Sequence, residues 1–294
     1  MRTFKLGDIR IDVLPETDYC TVDSAWLFPS LTRDDLQAHA DWLGPLQVQP
    51  EAMKLGFAFQ AFVVRAEGRT ILVDTCNGNY KQRPTATWQH DLRSSAFLDN
   101  LAALGLTPGD IDLVLCTHLH CDHVGWNTRL SEGRWVPTFP NARYGFSRAE
   151  YEHYLALHKT NPTPPVNHGA FADSVLPIVE SGLADFVDAR QVILEASGVR
   201  VGLAPSPGHS FGHMCVSLQS RGREALVIGD AFHHLIQLAM PELPMRADAD
   251  PARAIASRSE IMRTSAEEGA ILLAGHVAHK TILRTERHGN GFRP

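Results

Sequence analysis

Residues 117–123 read THLHCDH and follow directly on a short apolar run. Such a run is typical of a strand that is buried on both faces. In extended backbone His118 and His120 point to the same side, because side chains alternate along a strand. Asp122 and His123 come after the strand and can face a second position. Three imidazoles and a carboxylate are a nitrogen-and-oxygen donor set that suits zinc, so the stretch predicts a metal site at a strand end.

The composition is typical of a folded globular chain. With 294 residues, 44% hydrophobic and 20% charged, the sequence can bury a core, which argues against a disordered or coiled-coil protein. The formal charge of −6 disfavours nucleic acid as a partner, because phosphate binding requires a basic face. No apolar run approaches the roughly 18 residues that cross a bilayer, so no membrane partner is predicted.

The amino terminus and the cysteines bear on the cellular compartment. The first residues contain no apolar core and no small-residue cleavage site, so no secretory signal is predicted. The five cysteines are odd in number, scattered, and without a CxxC pair. They predict no disulfide framework and a reducing compartment, the cytoplasm.

Patterning along the chain predicts strands that alternate with helices. Thr32 is a candidate cap for a helix over 33–43. Two apolar runs meet at Glu67-Gly68, a candidate hairpin turn. A further helix is predicted near 251–268. Two sheets with helices outside them explain this alternation most simply.

Residues 147–185 differ from the rest of the chain. A helical stretch is followed by a proline-rich break at 161–169 and by a second stretch, 174–186, with helical spacing. This composition predicts an inserted cap or lid beside a site. No Gly- or Ser-rich linker interrupts the sequence, so we expect a single domain over 1–294 that contains this insertion.

Three later residues are candidates to complete the metal site. Each of them follows an apolar run and a glycine, which lets backbone approach a crowded centre. They are His209 in PGHSFGH, Asp230 in VIGD and His276 in LLAGH.

These motifs in this order resemble the metallo-β-lactamase-fold hydrolase superfamily over nearly the whole chain, and within it the lactonase and methyl parathion hydrolase-like branch. The resemblance implies an α/β fold, a four-layer αβ/βα sandwich of two mixed sheets flanked by helices. It also implies two Zn²⁺ ions, with Mn, Co or Fe as other ions that such a site accepts. The ligands that it implies are His118, His120 and His209 for one metal, Asp122, His123 and His276 for the other, and Asp230 as the bridge. Asp74 matches the aspartate that supports such a site from behind.

The chemistry of such a centre predicts a hydrolase. Two metals about 3.5–4 Å apart can share a hydroxide, because metal binding lowers the pKa of water from about 15.7 to near 7. Asp122 and His233 are the predicted catalytic residues. His233 lies three residues beyond the bridging aspartate, where similar lactonases have a tyrosine, and a purely structural role for it stays open. Cys121 is expected to point away from the metals.

The substrate pocket is less marked in the sequence. Trp26, Phe28 and Trp126 are candidates for an apolar rim, with a place in the core as the alternative. The sequence shows no basic clamp for an anion, so we expect a neutral small-molecule acyl substrate, a lactone or an aryl ester. Phosphotriester hydrolysis, β-lactam hydrolysis and a metal-binding ligand sensor without turnover are the alternatives. Homodimerisation, common among similar lactonases, is left open.

Overall fold

In a computed structural model that describes residues 2–161, 163 and 165–294, two β-sheets of eight and six strands form the middle of the fold. The strands are β1 Thr3–Leu6, β2 Ile9–Asp23, β3 Val48–Gln49, β4 Lys54–Ala66, β5 Arg69–Val73, β6 Leu113–Leu115, β7 Thr128–Ser131, β8 Arg134–Pro137, β9 Arg143–Ser147, β10 Ala184–Val187, β11 Val192–Ala196, β12 Val199–Pro205, β13 Met214–Ser220, β14 Arg223–Val227, β15 Ile271–Leu273, β16 Ile282–Leu283, β17 Glu286–His288 and β18 Gly291–Arg293. The helices are α1 Ser24–Leu27, α2 Arg33–Leu43, α3 Ala96–Ala103, α4 Cys121–Val124, α5 Arg148–Thr160, α6 Leu176–Glu180, α7 Ile236–Ala239 and α8 Pro251–Glu268.

Both sheets are mixed. The first has the order β1-β2-β4-β5-β6-β9-β10, with β3 beside β4, and the second has the order β11 to β16. Strands β5, β6, β9 and β10 run parallel, as do β14 and β15. One apolar cluster, with Val64 and Val216, lies between the sheets, and another packs helices such as α3 and α8 on them through Phe97 and Met262. The predicted α/β sandwich of two mixed sheets is confirmed.

Local sequence signals account for several element boundaries. The Thr32 hydroxyl accepts a hydrogen bond from the Asp35 amide, and the Asp35 carboxylate accepts one from the Thr32 amide, so α2 begins with a capping box. The turn between β4 and β5 places Glu67 and Gly68 at φ 49° and 72°, the left-handed pair that tight hairpins require. The helix predicted near 251–268 is α8. Within the described residues, no helix combines the length and the apolar character that a membrane crossing requires.

The segment between β9 and β10 departs in part from its prediction. Helix α5 forms as expected, and a π-helical turn at Phe171–Val175 leads into α6. The second predicted helical stretch is wrong beyond Glu180, because Gly182 at φ 75° ends the helix and the chain then pairs with β9 as strand β10. Pro162 and Pro164 of the predicted proline-rich break lie outside the described residues. The single-domain organisation with a cap or lid stays a prediction.

Two buried cations connect the loop after β5 to this segment. The Lys81 ammonium donates to the Asp173 carbonyl at 3.1 Å and to the Thr128 hydroxyl at 2.6 Å, and it lies 3.6 Å from the centre of the Trp135 ring. Arg83 donates both outer nitrogens to the Asp173 carboxylate at 2.5 and 2.9 Å. Burial lowers the pKa of Lys81 to about 7, although Asp173 acts in the opposite direction.

A pH dependence of stability follows from the lowered pKa of Lys81. Above pH 7 the folded chain loses a proton that the unfolded chain keeps up to its ordinary pKa of 10.5, so the free energy of unfolding rises with pH in this window. Between pH 7 and 9.5 we expect wild type to gain up to about 3 kcal/mol more than Lys81→Met. Urea titrations of both proteins at the two pH values measure this. Lys5→Met, at an exposed position, is the control, and equal pH slopes for wild type and Lys81→Met would contradict the prediction.

Candidate metal centre

The predicted ligands converge from loops at the carboxyl ends of four strands. The THLHCDH stretch follows β6, His209 follows β12, Asp230 follows β14 and His276 follows β15. All of these strand ends open at one edge of the sandwich, so residues up to 158 positions apart in sequence meet there (118 to 276). Their side chains are buried, apart from partial exposure at His120 and Asp122.

The ligand side chains form two groups that lie side by side at this edge of the sandwich. In the first group, His118, His120, His209 and Asp230 each offer a ligand atom within 4.8 Å of the others. In the second, Asp122, His123 and His276 do the same. The imidazole Nε2 of His209 lies 2.9 Å from Nδ1 of His120, and the Nε2 atoms of His123 and His276 are 3.3 Å apart.

Asp230 lies between the two groups and presents one oxygen to each. Its Oδ1 lies 3.1 Å from Nε2 of both His123 and His276. Its Oδ2 lies 3.2 Å from Nε2 of His209 and 3.7 Å from Nε2 of His118. This arrangement fits the bridging role that the resemblance implies for Asp230.

Hydrogen bonds on the outer side turn three of the imidazoles toward the centre. Nδ1 of His123 lies 2.9 Å from the Asp74 carboxylate, and Nδ1 of His276 lies 2.9 Å from the Ala58 carbonyl. Nδ1 of His209 lies 3.0 Å from the Asp248 carboxylate. Such outer partners fix the tautomer and leave Nε2 for a metal.

Of the two carboxylates that hold imidazoles from the outer side, the sequence indicates Asp74 and not Asp248. Asp74 lies at φ 61° directly after β5, and it accepts the Thr117 amide at 2.7 Å, so it braces the start of the histidine stretch. This fits its predicted supporting role. Asp248 was missed, because it lies in the loop between α7 and α8 with no preceding strand pattern to mark it.

The pKa shifts of two of the histidines and of the bridging carboxylate fit a divalent ion. Burial, with the neighbouring histidine charges, holds the pKa of His118 and His120 well below the usual value, so both imidazoles are neutral. Burial by itself would raise the pKa of Asp230, but His123 and His276 outweigh it, and the carboxyl stays ionised. Nε2 of His118 and Oδ1 of Asp230 are buried and find no hydrogen-bond partner among the described residues. Ion binding would satisfy both atoms.

His233 lies beside the bridging carboxylate. Its Nε2 is 3.0 Å from Oδ2 of Asp230, and its ring is parallel to that of His276 at 5.6 Å. Neither ring nitrogen has a hydrogen-bond partner among the described residues, although the side chain is buried. Its catalytic role stays a prediction. Cys121 belongs to neither ligand group, and its thiol donates to Gln89 at 3.0 Å in the wall of the cavity.

A cavity of about 120 Å³ opens over the two groups. Trp26 lines it, as predicted for the rim. Phe28 and Trp126 take the alternative position in the core: Phe28 is fully buried there, and the Trp126 indole donates to Glu16 at 2.7 Å. Both side chains turn inward because the core offers an apolar contact or a buried acceptor. Three residues that no sequence pattern marked as part of a site line the same cavity: Trp88, Asn167 and His168.

Asp248 provides a test of the outer hydrogen bonds. We expect Asp248→Asn to weaken metal binding by about 10- to 100-fold, because an amide does not strengthen the basicity of His209 as a carboxylate does. Metal content after dialysis against graded chelator measures the change. Asp250→Asn, at the cap of α8, is the control, and an unchanged metal affinity would contradict the assignment.

The fold and the site together define a class: two mixed sheets with a histidine- and aspartate-lined divalent-metal site at their common edge. The profile of the metallo-beta-lactamase superfamily matches residues 60–276. The chain belongs to this superfamily, which confirms the resemblance seen in the sequence.

The individual proteins to which this chain is similar have low sequence identity with it. A probable metallo-hydrolase, Mb2322c of Mycobacterium bovis, is 26% identical over 62% of this chain and 59% of its own length. The N-acyl homoserine lactonase AttM of Rhizobium johnstonii is 27% identical over 61% of this chain and 63% of its own. The alignments thus span less than two thirds of these relatives. Among solved structures, AidC, a dizinc quorum-quenching lactonase, superposes with a TM-score of 0.78 at 19% identity, covering 99% of this chain and 95% of its own. The hydrolase AbOPH gives 0.78 at 23% identity over 99% and 96%. These two structures show the shared fold.

Proposed function

We propose that the protein is a dinuclear zinc hydrolase that opens a lactone or cleaves a carboxylic ester. The observation that carries the proposal is the position of Asp230, whose two oxygens face two separate groups of histidine and aspartate ligands. Two of the similar proteins, AttM and AidC, are lactonases, which supports the same chemistry for this chain. A site for one metal would leave one of these groups without a function.

The residues of the site would have different roles in this reaction. When bound, two divalent ions would supply Lewis acidity and a water of lowered pKa. Asp122, Asp230 and the five histidines that the resemblance implies would hold the ions, while Asp74 and Asp248 orient the imidazoles from behind. His233, directly beside Asp230, is placed to donate a hydrogen bond to a substrate oxygen. Asp122, on the cavity wall, would help to place the attacking water.

The cavity favours an uncharged substrate. None of the described residues that line it is a lysine or an arginine, and Trp26, Leu27, Phe57 and Trp88 make much of its wall apolar. The cavity, at about 120 Å³, is smaller than the roughly 300–1,000 Å³ of typical ligand sites. It therefore has room for the reacting group of the substrate, and the rest of the substrate must lie outside it. A groove of about 500 Å³ on the other side of Trp26 and Trp88 gives room for an apolar remainder.

A substrate panel tests the proposal. Zinc-loaded protein is assayed for bound metal and for turnover of an aryl acetate, a γ-lactone, a phosphotriester and a β-lactam. We expect two zinc ions per chain and a kcat/KM at least about tenfold higher for the ester and lactone, since the four transition states differ in charge and shape. A preference for the phosphotriester or the β-lactam would favour those alternatives. Two bound metals with no turnover of any of them would favour the sensor.

The role of His233 is tested in the same panel. Loss of a positioned acid or hydrogen-bond donor typically lowers the rate by about 10²-fold or more, so we expect that fall in kcat for His233→Ala with two zinc ions retained. His288→Ala, at an exposed position, is the control and should keep the wild-type rate. A full kcat on every substrate would return His233 to a structural role.

A further inference from the structure

Three consecutive left-handed residues form a turn at the mouth of the cavity. Asn167, His168 and Gly169 have φ of 50°, 53° and 97°. The left-handed conformation is unfavourable by about 1–2 kcal/mol for a residue with a side chain, and such residues concentrate at functional sites. The turn lies in the segment between α5 and α6, so contacts outside it must hold it in place.

Those contacts come from the metal loop and the buried arginine. The Asn167 amide donates to the carbonyl of Leu119, which lies between two of the predicted ligands. The Arg83 guanidinium reaches the His168 carbonyl at 3.5 Å while it pairs with Asp173. The turn is therefore tied to the histidine stretch itself, and its position over the cavity is set by the same loop that carries the ligands.

The His168 side chain faces this cavity with one nitrogen held and the other available. Its Nδ1 lies 2.6 Å from the Thr85 hydroxyl, which fixes the plane of the ring. With the described residues, its Nε2 makes no hydrogen bond, and the ring lines the cavity together with Asp122 and Gln89. The ring is therefore held by one nitrogen in the cavity wall, which places its second nitrogen where a substrate can be bound.

We propose that His168 positions the substrate by a hydrogen bond from its Nε2 to a neutral carbonyl oxygen beside the scissile group, as in a lactone with an α-acylamino substituent. The inference rests on the proposed function. None of the described residues that line the cavity is a lysine or an arginine that would pair with an anionic substituent, so the partner is an uncharged acceptor. His168 and the linked Asn167 then give the segment between α5 and α6 a part in substrate selection.

A pair of γ-lactones tests this role, one with an α-acylamino group and one with an α-alkyl group of equal length. For zinc-loaded His168→Ala we expect kcat/KM on the acylamino lactone to fall about five- to tenfold through KM, the range for one lost hydrogen bond. The alkyl lactone should change less than about threefold. His168→Gln places a side-chain amide donor near the position of Nε2, so it should recover part of the preference. His288→Ala is the matched histidine control.

Binding provides a second readout that does not depend on turnover. The Kd of an α-acylamino cyclopentanone, which has no ester to open, should rise about five- to tenfold in His168→Ala, while that of the α-alkyl cyclopentanone should stay the same. Equal losses on both members of either pair would overturn the inference and make His168 structural. If wild type opens neither lactone although it binds both ketones, the proposed function fails, and the ketone Kd values still decide the role of His168.

Discussion

Asp230→Ala is expected to abolish activity and to lower the bound zinc from two ions per chain to one or none. The substitution removes the carboxylate that faces both ligand groups, and it leaves the Nε2 atoms of four buried imidazoles close together with no carboxylate between them. Without this carboxylate, protonated imidazoles would repel one another. Neutral imidazoles could still bind a metal ion, but no ligand would join the two ions. We expect kcat/KM to fall by more than about 10³-fold, because both the metals and the water that they activate depend on this residue.

Metal content measured by atomic emission, together with circular dichroism, separates this effect from unfolding. Asp41→Ala is the matched control, since Asp41 is exposed on α2 and makes no hydrogen bond or ion pair with the described residues. It should keep both metals and the full rate. Two retained zinc ions and a near-normal rate in Asp230→Ala would show that the bridge is wrongly assigned.

Gly125→Ala is expected to destabilise the fold by at least about 3 kcal/mol, at the upper end of the range for overpacked sites. Gly125 has ordinary helical backbone angles, so strain in φ is not the cause. A Cβ at this position would lie 1.9 Å from the Asn77 carbonyl carbon and oxygen. That backbone cannot move away, because the buried Glu16 carboxylate accepts the amides of Asn77 at 3.0 Å and Gly78 at 3.1 Å.

Urea unfolding measures this loss, and a low yield of soluble protein would agree with it. Gly109→Ala is the matched control, because its Cβ would meet nothing closer than 3.5 Å. We expect the control to change stability by less than about 1 kcal/mol. A Gly125→Ala protein as stable as wild type would mean that the loop after Asp74 can shift without loss, and that Glu16 does not anchor it.

Local patterns predicted those parts of the molecule that depend on neighbouring residues. Thr32 and Asp35 begin α2 through their own side chains, and Glu67-Gly68 makes a hairpin through its own backbone angles. The THLHCDH stretch is likewise local, because a strand end by itself places His118 and His120 on one side. The fold class followed from such motifs through the resemblance, and the family match confirms it.

The walls of the site depended on packing across the chain. Phe28 and Trp126 are aromatic, as a pocket rim requires, but aromatic character by itself does not distinguish a rim from a core. Trp126 turns inward to a carboxylate 110 positions away, and Phe28 packs among core residues. Trp88 reaches the cavity from a segment without a sequence signal of its own, and His168 reaches it from the predicted cap or lid, where no residue was singled out.

The sequence by itself therefore determined the fold class and the candidate ligands, because each is marked by residues close together in the chain. The tertiary structure decided which side chains surround the ligands. Three contacts join residues that are 39 or more positions apart: Asp248 with His209, Glu16 with Asn77, and His168 with Thr85. Such contacts form only when the two sheets pack together, since burial and loop geometry then select one partner among many of the same chemical type.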